Sequence, residues 1–207
     1  MTTEKCKICR RQGAKLFLKG ERCFSQKCSI IRKPYPPGIK SKKRKNLSEY
    51  GKELRETQKL KKYYNLKGKQ FGNYVKEVLE KRGKVEDASL FLIKKIVSRL
   101  DNVVFCLGFA NSRAKARQLV NHNHFLVNGK KVNIPSYRVK KGDIIKLAEN
   151  SRKKPVFTEI SAILKKRKHP LWVEFDGEKT EAKIVSDPVE DADVPAEIST
   201  IFEFYSR

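Results

Sequence analysis

The sequence predicts an α+β chain in three parts: a zinc-knuckle-like N-terminal segment, a helical region, and a compact helix–helix–hairpin module. Three observations carry that prediction. Four cysteines fall within the first 28 residues as two loosely spaced pairs. Apolar residues recur every three or four positions from Leu90 to Leu107. Asn128-Gly129 separates two short β-prone runs.

The cysteine box reads Cys6-x2-Cys9-x13-Cys23-x4-Cys28. Close pairs can turn sharply and present two thiolates to one ion, and two pairs close a tetrahedral site. Lys5, Lys7, Arg10, Arg11 and Arg22 surround them, and positive charge favours the thiolate. Zinc is the first expectation, and an iron–sulfur cluster takes the same four thiolates. A closed set of four ligands would be structural, stapling a segment with little core of its own.

Residues 32–46 then form a Pro-rich, basic arm whose prolines and glycine rule out a helix at its start. A helix is expected from Ser48, a plausible N-cap, over residues 49–64, and another over 69–82. Leu90, Ile93, Val97, Leu100, Val104 and Leu107 lie on one helical face, and Gly108 stops that helix. Asn111 or Ser112 caps a short helix to about 121. Phe125–Val127 and Lys131–Ile134 flank Asn128-Gly129 as a hairpin, with a further strand at Ile144–Leu147. Residues 157–168 read as helix, and the tail from 174 as strand-like and turn-rich pieces.

The 207 residues carry a net charge of +25, which points to a polyanionic partner. Residues 1–62 hold twenty basic against five acidic side chains, and residues 174–203 hold two basic against ten acidic. The acidic tail is therefore expected to face a protein neighbour or solvent. Its apolar end, with Phe202, Phe204 and Tyr205, is expected to dock near residues 47–62. No apolar run is long enough to span a membrane, and the start lacks a signal-peptide core, so a soluble cytoplasmic protein is expected.

The run Lys40–Lys45 fits a nuclear address, a membrane-surface patch or a nucleic-acid contact. Its place between a metal knuckle and a basic helix favours nucleic acid, with Tyr35 able to stack on a base. Arg113 and Arg117, four apart, share a helix face and can grip phosphates. Neither lies on the apolar face, so replacing both is expected to spare stability. His122-Asn123-His124 superficially resembles a nuclease motif, but the nearby Asp101 and Asp143 are isolated. No Ser/His/Asp set is evident, Cys106 reads as a buried structural thiol, and no small-molecule substrate is expected.

Longer stretches carry a resemblance. They include Leu16-Phe17-Leu18-Lys19-Gly20-Glu21-Arg22-Cys23, Tyr35-Pro36-Pro37-Gly38 and Leu47-Ser48-Glu49-Tyr50-Gly51. The most specific run is Arg99-Leu100-Asp101-Asn102-Val103-Val104 with Leu107-Gly108-Phe109-Ala110, Ser112-Arg113-Ala114 and Ala116-Arg117-Gln118-Leu119-Val120. Val127-Asn128-Gly129 and the ending Glu203-Phe204-Tyr205-Ser206-Arg207 continue it. Together these resemble the bacterial-type small-subunit ribosomal protein four family, in its cysteine-bearing subset.

That resemblance implies a structural protein that binds small-subunit ribosomal RNA early, at a helix junction of the 5′ domain, and helps nucleate assembly. It implies three domains. Residues 1–45 are the metal knuckle and arm. Residues 46–88 are a helical domain completed by the tail, about 175–207. Residues 89–174 are an RNA-binding module with a small antiparallel sheet. It also implies contact with messenger RNA where it enters the subunit, and with neighbouring small-subunit proteins that bear on decoding accuracy. Cys106 and Asn123 depart from the residues common in the family.

The expected RNA contacts are Arg10, Arg11, Lys15, Lys19, Arg22, Lys33 and Tyr35 near the cysteine box, and Lys40, Lys42, Lys43, Arg44 and Lys45 in the arm. Lys52, Arg55, Lys59, Lys61 and Lys62 follow on the next helix. In the module they are Arg99, Asn102, Arg113, Lys115, Arg117, Gln118, His122, His124, Lys131 and Arg138. Phe202, Phe204 and Tyr205 are the expected protein interface. The rivals are an RNA-modifying enzyme that uses the same module and a zinc-dependent nucleic-acid-binding regulator.

Overall fold

Ser48 opens the first long helix as the sequence predicts: its hydroxyl accepts the Gly51 N–H at 3.2 Å. A computed structural model describes residues 2–38, 46–81, 83, 87–155, 157, 164, 170–176, 180–187 and 194–206. The chain divides into two compact units, Met1–Ser89 with Val194–Arg207, and Leu90–Asp193. Among the described residues, no helix is long and apolar enough to cross a membrane.

The first unit holds α1 (Thr2–Gln12), α2 (Glu21–Phe24), α3 (Ser29–Arg32), α4 (Glu49–Tyr63) and α5 (Gly68–Glu80), with the C-terminal helix α10 (Ile198–Ser206). Phe71, Val75 and Val78, spaced four and three, are buried along α5. Leu60, Tyr64, Leu66 and Ile201 are buried in the same unit. α10 packs on α4 and α5: Tyr50 meets Phe204 at 5.5 Å between ring centroids, and Phe71 meets Tyr205 at 6.0 Å. The Glu197 N–H also donates to Glu56 Oε2 at 3.3 Å. The tail end thus docks beside residues 47–62 as expected, but as a helix, because Ile201 and Tyr205 four apart suit a helical stripe.

The second unit holds α6 (Ala88–Val97, from Leu90 on), α7 (Leu100–Leu107), α8 (Arg113–Asn121) and α9 (Glu149–Arg152). Its strands are β1 (Phe125–Val127), β2 (Lys130–Lys131), β3 (Ile144–Leu147), β4 (Val173–Asp176) and β5 (Glu181–Ile184). They form one antiparallel sheet in the order β2-β1-β3-β5-β4. Ser112 caps α8 by accepting the Lys115 N–H at 3.3 Å. Asn128 and Gly129 both have positive φ, 50° and 79°, the turn geometry their sequence predicts. The Asn128 side chain also donates to Asp143 and accepts the Ile144 N–H, at 2.8 and 2.9 Å, tying the hairpin to β3.

Three differences from the sequence reading have physical reasons. The single helix expected from Leu90 to Leu107 is broken: Arg99 is extended (φ −68°, ψ 138°) and bridges to Arg138 before α7 starts. Leu90, on the expected apolar stripe, is 52% exposed. Residues 173–184 join the sheet of the second unit rather than the helical unit, and β5 buries Ala182 and Ile184 in alternation with Lys183. The helix expected at 157–168 falls almost wholly outside the described residues, as does the arm over 39–45.

Candidate nucleic-acid interface

The first unit begins with a small lobe in which α1 carries the chain that follows α3. Arg10 Nε donates to the Lys33 and Tyr35 carbonyls at 3.1 and 2.9 Å, and its guanidinium lies 4.9 Å from the Tyr35 ring centroid. Arg10 is thus a staple, and one face of Tyr35 is covered. Around this staple lies a cleft of about 290 Å³ lined by Lys7, Lys19, Arg22, Lys27, Arg32 and Lys33, together with Arg10, Cys6 and Ser29. Among the described residues, no carboxylate lines it. Such a wall of one sign attracts anions.

The metal expectation is overturned. Cys6 and Cys9 lie on α1, Cys23 on α2, and Cys28 caps α3. Among the described residues, no group of three or more His, Cys, Asp or Glu side chains is arranged to hold a metal ion. All four are free cysteines, and Cys9, Cys23 and Cys28 are buried. Burial raises the Cys9 thiol above its ordinary value, against a lowering backbone hydrogen bond at Leu16. The Lys19 N–H points at Cys23 Sγ, 3.4 Å away. Cys9, Cys23 and Cys28 are buried in the lobe, as is Leu16, while Cys6 is half-buried, and neither zinc nor an iron–sulfur cluster is supported. The zinc-knuckle description of residues 1–45 falls with it.

On α4, Arg55 donates to the Gln12 carbonyl at 2.9 Å, and Lys59 pairs with Glu56 at 2.6 Å, so both help hold the unit together. Lys52 pairs with Glu49 at 2.8 Å but is largely exposed. Lys62 is exposed and Lys61 half-buried; burial lowers the Lys61 ammonium from its ordinary value, helped by the charge of Lys62. Arg11, Arg22 and Lys33 are exposed, and Lys15 and Lys19 half-buried. Lys40, Lys42, Lys43, Arg44 and Lys45 lie outside the described residues.

In the second unit, α8 presents Lys115 and Gln118 to solvent, His122 is exposed at its C-terminal cap, and Lys131 and Arg138 are exposed further along the chain. Arg113 and Arg117 are half-buried. Arg113 Nε donates to Asn102 Oδ1 at 2.9 Å, and its guanidinium sits 4.5 Å from the Phe105 ring centroid. The expectation that α8 arginines can be removed without loss of stability therefore fails for Arg113. Arg113→Ala should cost about 1–2 kcal/mol through the lost hydrogen bond and cation–π contact. Arg117→Ala should act more on RNA affinity. Parallel thermal melts and RNA titrations of the two variants separate these roles, and equal loss of stability in both would contradict the assignment.

Three expected contacts lie inside the fold. Arg99 is 1% exposed and bonds Asp101 through two hydrogen bonds of 3.0 and 2.5 Å. Asn102 is buried between the Val97 carbonyl, which its Nδ2 reaches at 3.0 Å, and Arg113. His124 is buried with Nδ1 2.8 Å from Ser151 Oγ, its ring edge-on to Phe157. Burial, then Lys154 and His122, lowers its ring from the ordinary value of 6.5, which favours a neutral packing residue. These three shape the surface without touching it. The cleft also brings in Lys7, Lys27 and Arg32, which the sequence reading did not name as RNA contacts, although cations on either side of the cysteines were legible there.

Comparison with known proteins accounts for this arrangement. The family model of the ribosomal protein S4/S9 N-terminal domain matches residues 1–93, and that of the S4 domain matches residues 98–145. A small ribosomal subunit protein uS4 from Caldicellulosiruptor saccharolyticus is 48% identical over 203 residues, covering 98% of this chain and 96% of its own. The chain belongs to the uS4 family. Another member, from Ruminiclostridium cellulolyticum, is 46% identical over all 207 residues and 98% of its own length. One from Thermotoga petrophila is 45% identical over 98% of this chain and 96% of its own. Within the family match, the S4-domain segment spans α7, α8 and the hairpin, which carry exposed Lys115 and Lys131 and half-buried Arg113 and Arg117. None of these relatives' names mentions a metal.

Proposed function

We infer that the chain is a structural constituent of the small ribosomal subunit that binds its ribosomal RNA and catalyses no reaction. One observation carries this reading: end-to-end identity near 48% with proteins named as small ribosomal subunit protein uS4. It works in the cytoplasm, with the bacterial ribosome, and its partners are ribosomal RNA and neighbouring ribosomal proteins. The RNA-modifying-enzyme and regulator readings are not favoured, since the relatives matched over nearly their whole length carry ribosomal-protein names.

In this reading phosphates meet the exposed cations: Arg11, Arg22, Lys33, Lys52 and Lys62 in the first unit, and Lys115, Lys131 and Arg138 in the second, with the exposed His122 ring at the C-terminal cap of the helix that carries Lys115. Gln118 adds a neutral donor, and Lys15, Lys19 and Arg117 reach out from half-buried positions. Such contacts fix register more than they read sequence. The arm around Lys40–Lys45 is proposed to face messenger RNA where it enters the subunit, because its cation density suits an unpaired strand. Phe204 and Tyr205 anchor the tail helix, leaving half-buried Phe202 and exposed Glu197 and Glu203 for a basic neighbouring protein. Binding at a 5′-domain junction and an influence on decoding accuracy remain part of the proposal through the family resemblance.

The test is sedimentation of tagged chain from cell extract through a gradient after a high-salt wash. The reading expects the chain in small-subunit fractions. Recovery with large subunits alone, or free at the top of the gradient while other small-subunit proteins stay bound, would overturn it.

A further inference from the structure

Phe24 ends α2 with 73% of its surface exposed, a large apolar ring left in water. Its ring stacks on Phe17, with centroids 5.0 Å apart and planes inclined by 28°. Phe17 in turn has φ +50°, a conformation that aromatic residues rarely adopt and that costs on the order of 1–3 kcal/mol. The neighbouring Leu16, 1% exposed, anchors that turn in the lobe. The backbone is therefore held in a costly shape that backs one face of Phe24 and leaves the ring open to solvent.

Phe24 lies in the chain between Arg22 and Lys27, and both line the cation cleft described above. Lys7, Lys19, Arg32 and Lys33 line it as well. The charge of Arg10 adds to theirs although its hydrogen bonds are spent on carbonyls. Cations gathered without a carboxylate repel one another until an anion arrives. At about 290 Å³ the cleft approaches the size of small-ligand pockets, which suits a nucleotide unit better than a lone ion. A site for phosphate alone would have no use for an exposed, backed aromatic ring. A duplex would offer the ring no base face, because its bases are stacked on one another.

We propose that this cleft and Phe24 form a subsite for unpaired RNA, in which the cations take backbone phosphates and a base stacks on the outer face of Phe24. The subsite rests on the RNA-binding reading above and assigns part of that binding to a loop, bulge or single strand. Stacking of this kind is tolerant of sequence.

The experiment uses the full chain with a short single-stranded oligouridylate, a matched RNA duplex and small-subunit ribosomal RNA. Phe24→Ala should weaken strand binding roughly 5- to 150-fold and leave duplex binding unchanged. Phe24→Tyr should restore strand binding, whereas Phe24→Leu, apolar but without a π face, should not. Phe24→Trp places an exposed indole in a chain whose own Trp172 is 2% exposed. Strand, but not duplex, should shield that indole from acrylamide. The double variant Lys27→Glu, Arg32→Glu should flatten the salt dependence of strand binding by about 1–2 in log–log slope.

Phe24→Leu that binds strand like the native chain, or an indole no better shielded with strand than without, would overturn the subsite while leaving RNA binding intact. Shielding by an acidic peptide and not by strand would also overturn it, in favour of a protein partner. A native chain that binds none of the three RNAs would instead overturn the reading on which the subsite rests.

Discussion

RNA affinity should fall by about 10⁴-fold when salt is raised from 50 to 200 mM. That figure follows from contact with about eight phosphates, which gives a log–log slope of roughly −6 to −7, between the single-strand and duplex limits. The charge needed is present: 48 Lys and Arg against 23 Asp and Glu, with the exposed cations concentrated in the N-terminal lobe and around α8. Some of the expected cations are spent internally. Arg10, Arg55, Lys59 and Arg99 hold the fold together, so the slope reports on the remainder. Titration of the full chain with ribosomal RNA at five salt concentrations measures it directly. A slope shallower than about −2 would mean that phosphates do not dominate the interface.

Asp101→Ala should destabilise the second unit by about 3–5 kcal/mol, because it removes the buried carboxylate that pairs with the buried Arg99 guanidinium. For a unit of roughly a hundred residues that corresponds to a Tm at least roughly 10 °C lower. Arg99 is 1% exposed and Asp101 5%, so water cannot take the place of the lost partner. Burial raises the Asp101 carboxyl above its ordinary value of 3.8, outweighing the opposing hydrogen bonds from Arg99. The sign matters. From pH 3.8 up to that raised value, the native state keeps a proton the unfolded chain has lost, so stability from this group declines as pH rises. Acid unfolding therefore does not originate here, and Asp101→Asn should flatten the profile in that window. Melts at several pH values check this; an Asp101→Ala variant as stable as the native chain would show that the pair is not a structural tie.

Local signals were the most legible. Ser48 and Ser112 sit at helix starts because their hydroxyls can satisfy free amides, and both do. Asn128-Gly129 specified a turn with two positive φ angles, and that turn is present. The break at Ser98–Arg99 was hidden because Val97 and Leu100 keep helical spacing across it. Nothing in the order of residues says that Arg99 turns inward to a carboxylate two positions on, although this decides the core of the unit. The cysteine spacing misled for a related reason. A paired spacing fits a metal cage and buried thiols alike, and only the arrangement of the side chains in space separates the two. Phe24 was passed over because exposure is a tertiary property, and an aromatic beside cysteines reads as core until its surroundings are known.

The most direct test of the central claim is a competition. The full chain is titrated with deproteinised small-subunit ribosomal RNA, then challenged with large-subunit RNA fragments of equal length at about 200 mM salt, where nonspecific phosphate binding is weak. The account predicts that small-subunit RNA binds at least roughly 100-fold tighter than its competitor. Equal affinity for both RNAs would contradict it.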